Sequence, residues 1–414
     1  MKTVVAVIAG VAAAFGLARG EAAGWVGTWG ASPVPPGPAG TGPGPGTPSF
    51  NNQTLRQVVR LSVGGERLRI RFTNEYGTHP LRIGAATLAR LDAHGAPVPG
   101  TERTLHFSGQ TSAVIPAEAP LLSDPVDLAV PALSSVSISL YLPQDTGPCT
   151  CHPVALQSGS VSGPGDFTAG SFPTQTPLRM RAFISGLEVE SAHPQKAIVA
   201  FGDSITDGVG STADQNRRWP DKLAERLAAA DPSHGWGVVN MAISGNRVLD
   251  DGAGQSALAR FDRDVLSVSG AAYVIVFEGV NDLGLSFGHP QGPFAERFRA
   301  LAPAQPANAQ AMIAGYRQLI ERAHAKGVKI FGATIAPYEG AVYWSPEGEA
   351  QRQAINTWIR TGGDFDGVLD FDAALRDPAQ PSRMRAELQA GDHLHGSDAG
   401  YEAIARSIDL KRFR

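Results

Sequence analysis

The chain contains the stretch Ala197-Ile198-Val199-Ala200-Phe201-Gly202-Asp203-Ser204, from which its fold can be inferred. The apolar run predicts a buried β-strand, and the Gly-Asp-Ser that follows ends this strand abruptly. A serine at the end of a buried strand is held rigidly, with its hydroxyl group at the edge of the sheet. Because α/β enzymes carry reactive groups at this edge, Ser204 is a candidate nucleophile.

Beyond residue 195, apolar strands alternate with helical stretches. This alternation predicts an α/β domain, residues 196–414, with a parallel sheet covered by helices on both faces. Functional groups in such sheets collect beyond the carboxyl ends of the strands. The predicted strands are Ala197–Phe201, Val238–Ala242, Tyr273–Phe277, Ile330–Ile335 and Val368–Phe371, and the predicted helices are Pro220–Ala230, Ala257–Leu266, Ala309–Ala325, Glu347–Thr361 and Asp398–Leu410.

The first half of the chain has a different pattern. Short runs such as Arg67–Phe72 and Val136–Leu142 alternate between apolar and polar residues and are separated by Gly, Pro, Asn and Asp. An alternation with a period of two predicts strands with one buried face, as in an antiparallel sandwich. We therefore expect an all-β sandwich domain over residues 24–190, interrupted by an irregular loop at Pro33–Pro48.

The N-terminus has the pattern of a secretory signal. Lys2 precedes an apolar stretch from Val4 to Leu17, and small residues follow at 18–23. This pattern predicts a signal peptide over residues 1–22 and a secreted or periplasmic protein. The alternative is a membrane anchor, but the apolar stretch is short for a bilayer span.

Composition limits the classes of partner. The chain has 414 residues, enough for two domains, and a formal net charge of -4, which argues against nucleic acid. Its two cysteines, Cys149 and Cys151, are separated only by Thr150. A bridge across one residue would be strained, so their proximity is weak evidence for a disulfide, and with His152 they supply too few ligands for a closed metal site. We expect incidental thiols in a loop, and the sequence does not determine whether they are bridged.

Four short segments with chemically active residues follow predicted strands or lie in the last loop: Gly202–Ser204, Asn240–Asn246, Glu278–Asp282 and Asp392–His395. In this order, they resemble the motifs of the SGNH hydrolases, also called the GDSL esterase/lipase family. The resemblance extends from about Ala197 to the C-terminus, with Ile205 where the family name has leucine. It implies a flavodoxin-like three-layer α/β/α domain that hydrolyses ester bonds.

The resemblance also implies a catalytic triad. Ser204 matches the nucleophile, His395 the general base and Asp392 the group that orients the base. An imidazole can accept and return a proton near neutral pH, and a carboxylate on its other nitrogen stabilises the imidazolium. His393 is a competing base that sequence alone does not exclude, but the Asp-x-x-His spacing of the family selects His395.

The same resemblance implies an oxyanion hole formed by the backbone N–H groups of Ser204 and Gly245 and the side-chain amide of Asn281. Such donors stabilise the negative charge that develops on the substrate oxygen. Considered singly, the segments around Gly245 and Asn281 are also ordinary turn sequences.

Two other sets of residues have less support as functional sites. Gly284-Leu285-Ser286-Phe287-Gly288 matches the G-x-S-x-G pattern of unrelated hydrolases, which requires a strand directly before the serine and a helix directly after it. His289-Pro290 follows instead, so we expect Ser286 to lie in a loop within Leu283–Pro306. Asp203, Asp207 and Asp282 lack a metal-ligand spacing, so we expect turn and capping roles for them, with no metal and no cofactor.

These observations predict an exported serine esterase that acts on small-molecule or polysaccharide esters, with short acyl or acetyl groups on carbohydrate as the first choice. The alternatives are a longer-chain lipase or thioesterase, and a non-catalytic carbohydrate-binding protein on a hydrolase scaffold. The β-rich half could bind carbohydrate, shape the rim of the site or stabilise the fold. Tyr338, Tyr343 and Trp344 could line the substrate pocket or pack beneath a loop.

Overall fold

A computed structural model describes residues 24–37, 46–193, 195–231, 235–291 and 295–413. The expected signal segment, residues 1–22, and residues 38–45 of the Pro33–Pro48 loop lie outside the described residues. Within the described ranges, no helix is both long enough and apolar enough to span a bilayer.

The chain up to Glu190 is strand-rich. Its two larger sheets have the orders β1-β15-β3-β8, with β9 also paired to β3, and β13-β12-β2-β10-β5-β6. Burial in β3 alternates as the sequence predicts, since Leu68, Ile70 and Phe72 are buried and the intervening arginines are partly exposed. The strands are β1 Trp25–Gly30, β2 Gln53–Arg60, β3 Gly65–Thr73, β4 Leu81–Ile83, β5 Ala85–Leu91, β6 Arg103–Thr104, β7 Ala113–Ile115, β8 Pro120–Leu122, β9 Val126–Val130, β10 Ser135–Leu142, β11 Cys151–His152, β12 Gly159–Pro164, β13 Thr174–Leu178, β14 Arg181–Ala182 and β15 Ile184–Glu190.

The rest of the chain has the predicted α/β fold. A parallel sheet has the order β17-β16-β18-β19-β20, which in chain order is 2-1-3-4-5, the flavodoxin-like order. The strands are β16 Lys196–Gly202, β17 Trp236–Asn240, β18 Ala271–Phe277, β19 Lys329–Ala333 and β20 Gly367–Leu369. The helices are α1 Ser204–Asp207, α2 Trp219–Ala230, α3 Ala257–Phe261, α4 Val280–Phe287, α5 Ala295–Leu301, α6 Ala309–His324, α7 Pro346–Thr361, α8 Phe371–Leu375 and α9 Asp398–Ser407.

The order of the strands locates the site. The chain first places β17 on one side of β16 and then β18 on the other, and ligands bind beyond the carboxyl ends of strands at such a reversal. Gly202, at the end of β16, pairs with Phe277, at the end of β18, so the two strands end level. A Cβ atom at position 202 would lie 2.3 Å from the Phe277 carbonyl oxygen, and therefore only glycine fits.

The strand-rich half packs directly on the edge of the parallel sheet. The Gly27 N–H donates to the Ser269 carbonyl at 2.9 Å. Ser62 Oγ accepts from the backbone N–H of Val238, on β17, at 2.8 Å. The two halves therefore share hydrogen bonds along this edge of the sheet.

The cysteines are joined, which decides the state that the sequence left open and corrects the interpretation as incidental thiols in a loop. Cys149 and Cys151 form a disulfide with their Cα atoms 5.5 Å apart, a normal separation for such a bridge. Both residues are buried, and the Val34 N–H donates to the Cys151 carbonyl at 2.9 Å. The bridge therefore lies within a packed segment that leads directly into His152.

Candidate active site

Ser204 is the first residue of α1, directly after the turn that ends β16. Asp203 caps this short helix, because its carboxylate accepts a hydrogen bond from the Ile205 N–H at 2.9 Å. The Ser204 N–H is one of the orphan donors of a helix start, and it has no acceptor within the described residues. The nucleophile candidate thus presents both a hydroxyl group and a free backbone donor.

The structure brings Ser204, His395 and Asp392 together. Ser204 Oγ lies 2.8 Å from His395 Nε2, and His395 Nδ1 lies 2.5 Å from Asp392 Oδ2. Because an ionised carboxylate only accepts, Nδ1 carries the proton, and Nε2 is free to accept from the serine hydroxyl. The three groups have the connectivity of a serine hydrolase triad.

The charge of Asp392 is stabilised locally. Partial burial alone would raise the pKa of this carboxyl, but hydrogen bonds from the ring and backbone of His395, together with the backbone N–H of Leu394, lower the pKa well below its ordinary value. The group that orients the imidazole therefore stays ionised far into the acid range.

The competing histidine points elsewhere. His393 is exposed and has a φ of 61°, and its ring packs beside Gly340. Its backbone N–H donates to Gln389, and its ring makes no hydrogen bond within the described residues. The structure thus places His395, and not His393, against Ser204.

The predicted oxyanion donors lie around one turn. Gly245 has a φ of 82°, a left-handed conformation that glycine adopts without strain, and its N–H has no acceptor within the described residues. The Asn281 side-chain amide donates to the Asn246 carbonyl at 3.0 Å, which leaves one amide hydrogen free. Asn281 therefore lies within hydrogen-bond reach of the turn that carries Gly245.

Sequence reasoning expected only a general turn role for Asp207 and did not identify Arg260 as a second residue that holds this turn. Asp207 Oδ2 accepts from both the N–H and the hydroxyl of Ser244, at 3.1 and 2.6 Å. Arg260 is fully buried and donates to the Asn246 side chain at 2.8 Å and to the Gly202 carbonyl at 3.1 Å. The sequence offered one signal for this role of Arg260. The arginine lies beside Phe261 on the apolar face of α3, and an arginine buried there needs several hydrogen-bond acceptors.

Three buried carboxyl groups lie beneath the site. Burial raises the pKa of Asp203 to about 7 and also raises the pKa of Asp282 to about 7, although Asp282 accepts from the Val248 N–H. Burial and the neighbouring charge of Asp203 raise the pKa of Glu278 well above its ordinary value. Among the described residues, no group of three or more His, Cys, Asp or Glu side chains could hold a metal ion.

Of the remaining candidate residues, the two tyrosines are buried and Ser286 lies within a helix. Tyr338 and Tyr343 are buried and pack edge to face against each other, and the Tyr343 hydroxyl donates to Asn281 Oδ1 at 3.2 Å. Ser286 was expected in a loop but lies in the last turn of α4, where its hydroxyl accepts from the Ala307 N–H. The loop prediction failed because α4 begins at Val280 with no side-chain cap to mark its start.

Comparison with known proteins identifies the family of the α/β half. Residues 200–403 match the GDSL-like lipase/acylhydrolase family. The chain carries a GDSL domain. This result confirms the resemblance inferred from the four motifs and makes the protein an ester hydrolase.

Solved structures similar to the GDSL domain include an acetyl xylan esterase from Geobacillus stearothermophilus, 24% identical over 52% of this chain and 94% of the esterase, with a TM-score of 0.37. A GDSL-like lipase from Bacteroides thetaiotaomicron is 18% identical over 52% of this chain and 87% of the lipase, with a TM-score of 0.36. No curated protein matches the chain.

Proposed function

We propose that this protein is an exported serine esterase, with a β-sandwich domain over residues 24–190 and a three-layer hydrolase domain over residues 196–414. The observation that carries the mechanism is the 2.8 Å contact between Ser204 Oγ and His395 Nε2, with Asp392 on the far side of the imidazole. Export rests on the signal-like pattern of residues 1–22.

Acylation begins when Ser204 Oγ attacks the ester carbonyl carbon. The hydroxyl proton passes to His395 Nε2, and Asp392 stabilises the resulting imidazolium through Nδ1. The carbonyl oxygen becomes an oxyanion that accepts hydrogen bonds from the N–H groups of Ser204 and Gly245 and from Asn281 Nδ2. Losing one such donor typically costs about 3 kcal/mol of transition-state stabilisation.

The tetrahedral intermediate then collapses. The bond between the carbonyl carbon and the alkoxy oxygen breaks, and His395 Nε2 returns its proton to the departing alcohol. A water molecule attacks the acyl-serine ester and gives its proton to His395, and a second collapse releases the carboxylic acid and restores the Ser204 hydroxyl. The residues finish the cycle in their starting protonation states.

We propose short acyl esters, with acetyl groups on carbohydrate first among them, as the substrates. Export and a strand-rich accessory half support this choice, since both suit an enzyme that meets extracellular polymers. A longer-chain lipase or thioesterase is the competing assignment, and chain-length preference distinguishes the two.

The test combines active-site labelling with an ester panel. We expect a fluorophosphonate probe to label the wild type on Ser204 and to leave Ser204→Ala unlabelled. We also expect nitrophenyl acetate and acetylated xylan to be hydrolysed with a higher kcat/KM than nitrophenyl esters with longer acyl chains. Labelling that survives Ser204→Ala would refute the mechanism, whereas a maximum at long chains would refute only the substrate class.

A further inference from the structure

His152 connects the strand-rich half to the GDSL domain beneath the candidate oxyanion hole. The residue ends β11 and is 5% exposed. Its Nε2 lies 3.1 Å from Asp207 Oδ1, and its Nδ1 lies 3.0 Å from the Ser32 carbonyl. His152 thus links Ser32 of the strand-rich half to α1, the short helix that begins with Ser204.

The contacts require a doubly protonated ring. Within the described part of the chain, the ring nitrogens of His152 contact only acceptors, namely the carbonyls of Ser32 and Val154 and the carboxylate of Asp207. Both ring nitrogens must therefore donate, which makes the ring an imidazolium. Burial alone would lower the pKa of His152, but the charge of Asp207 and the hydrogen bonds raise it above its ordinary value.

The two carboxylate oxygens of Asp207 contact different halves of the molecule. Oδ1 faces His152, whereas Oδ2 accepts both hydrogen bonds from Ser244. Ser244 directly precedes Gly245, whose N–H is an oxyanion donor in the proposed function. Because Asp207 is 2% exposed, removing the imidazolium would leave Oδ1 of a buried carboxylate with no hydrogen-bond donor among the described residues.

Ser32 fixes His152 from the other direction. The Ser32 hydroxyl donates to the Met241 carbonyl at 2.9 Å and accepts from the buried guanidinium of Arg260 at 3.2 Å. Arg260 in turn holds the Asn246 side chain. The hydrogen bonds around Ser32 therefore hold Nδ1 of the imidazolium and, through Arg260, also support the turn that contains Asn246.

We propose that His152 is a positioning residue of the esterase site: it orients Asp207, and Asp207 fixes the Ser244–Asn246 turn so that the Gly245 N–H meets the oxyanion. The inference rests on the proposed function. It makes the strand-rich half part of the catalytic apparatus and not merely an attached binding module. A small displacement of the Gly245 N–H is sufficient to lower the rate, since a shift of about 1 Å at a reacting centre can cost 100-fold in rate.

The test measures kcat and KM of the full-length protein on nitrophenyl acetate, per active site titrated with a fluorophosphonate. We expect His152→Ala to lower kcat about 10- to 100-fold with KM nearly unchanged, because the lost interaction acts in the transition state. We expect His152→Gln, which retains an N–H donor for Asp207, to recover part of the loss.

A double-mutant cycle separates positioning from a general loss of stability. If His152 acts through Asp207, the variant with both His152→Ala and Asp207→Asn should have a kcat close to that of Asp207→Asn alone. Ser62→Ala is the matched control, because it removes a buried hydrogen bond between the halves at Val238, away from the turn. It should retain wild-type kcat per titrated site.

The possible results separate a failure of the positioning role of His152 from a failure of the proposed esterase function. Wild-type kcat per site in both His152 variants, or additive losses in the double mutant, would overturn the positioning role while leaving an active Ser204-dependent esterase. If His152→Ala does not fold, His152→Gln and the control decide the result. A wild type without Ser204-dependent ester hydrolysis would instead refute the proposed function itself.

Discussion

The Tyr343 hydroxyl donates to Asn281 Oδ1 across 3.2 Å. An amide oxygen only accepts, so this contact determines which end of the Asn281 side chain faces the site. The amide nitrogen is turned toward the Asn246 carbonyl and the candidate oxyanion position. A buried tyrosine thus orients one of the three candidate donors.

Removing that hydroxyl should weaken transition-state stabilisation. In Tyr343→Phe the Asn281 amide loses the only partner that Oδ1 has among the described residues, and we expect kcat on nitrophenyl acetate to fall about 10-fold or more. Tyr338→Phe is the control, because the buried Tyr338 hydroxyl has no hydrogen-bond partner in the part of the chain that the structure describes. Equal kcat values for the two variants would contradict this role of Tyr343.

Separate alanine variants of the two neighbouring histidines should differ sharply. His395→Ala removes the group that contacts Ser204 Oγ, and we expect kcat to fall by about 10³-fold or more. His393→Ala removes an exposed ring and should leave kcat nearly unchanged. A loss of activity confined to His393→Ala would show that the wrong base has been assigned.

The orienting carboxylate can be tested without changing the shape of the site. Asp392→Asn can place an amide N–H toward Nδ1 and favour the wrong tautomer, so we expect kcat to fall about 10²- to 10⁴-fold. In the wild type the pKa of Asp392 is held low by His395, so the carboxylate remains ionised as pH falls. Protonation of Asp392 should therefore not limit activity until pH falls far into the acid range, which the acid limb of kcat/KM measures.

The buried carboxyl group of Asp203 should make stability depend on pH. Burial raises its pKa from 3.8 to about 7. Between these values the folded state binds a proton that the unfolded state has released, so the free energy of unfolding falls as pH rises. Asp203→Asn keeps an oxygen for the Ile205 N–H and removes the charge, so we expect it to be more stable than the wild type at pH 8 by about 1–3 kcal/mol.

Calorimetric unfolding at a series of pH values checks this prediction. The difference in Tm between Asp203→Asn and the wild type should grow from pH 4 to pH 8. Glu278→Gln provides a companion variant, because Glu278 is buried nearby and neither of its carboxylate oxygens is hydrogen-bonded to a described residue. A constant difference in Tm across this range would mean that Asp203 is not protonated in the folded state.

The elements of the α/β half were readable from local pattern. Apolar runs and helical periodicity predicted its five parallel strands with only small differences at their ends, because these signals depend on neighbouring residues. The resemblance to the family, through its Asp-x-x-His spacing, predicted the contact between Asp392 and His395, which lie 3 positions apart in one loop. Helix α4 was missed because Asn281-Asp282 has turn composition and no cap marks the helix start.

Contacts between distant segments had no such local signal. His395 reaches Ser204 across 191 positions, Tyr343 reaches Asn281 across 62, and His152 reaches Asp207 across 55. Each contact exists because strand order and the packing of the two halves bring separate segments to one edge of the sheet. Residue types and short spacings predicted the elements of the α/β half, and the resemblance to a known family predicted an ester hydrolase with His395 as its base. The orientation of the Asn281 amide and the contact of the first half with Asp207 depended on long-range packing.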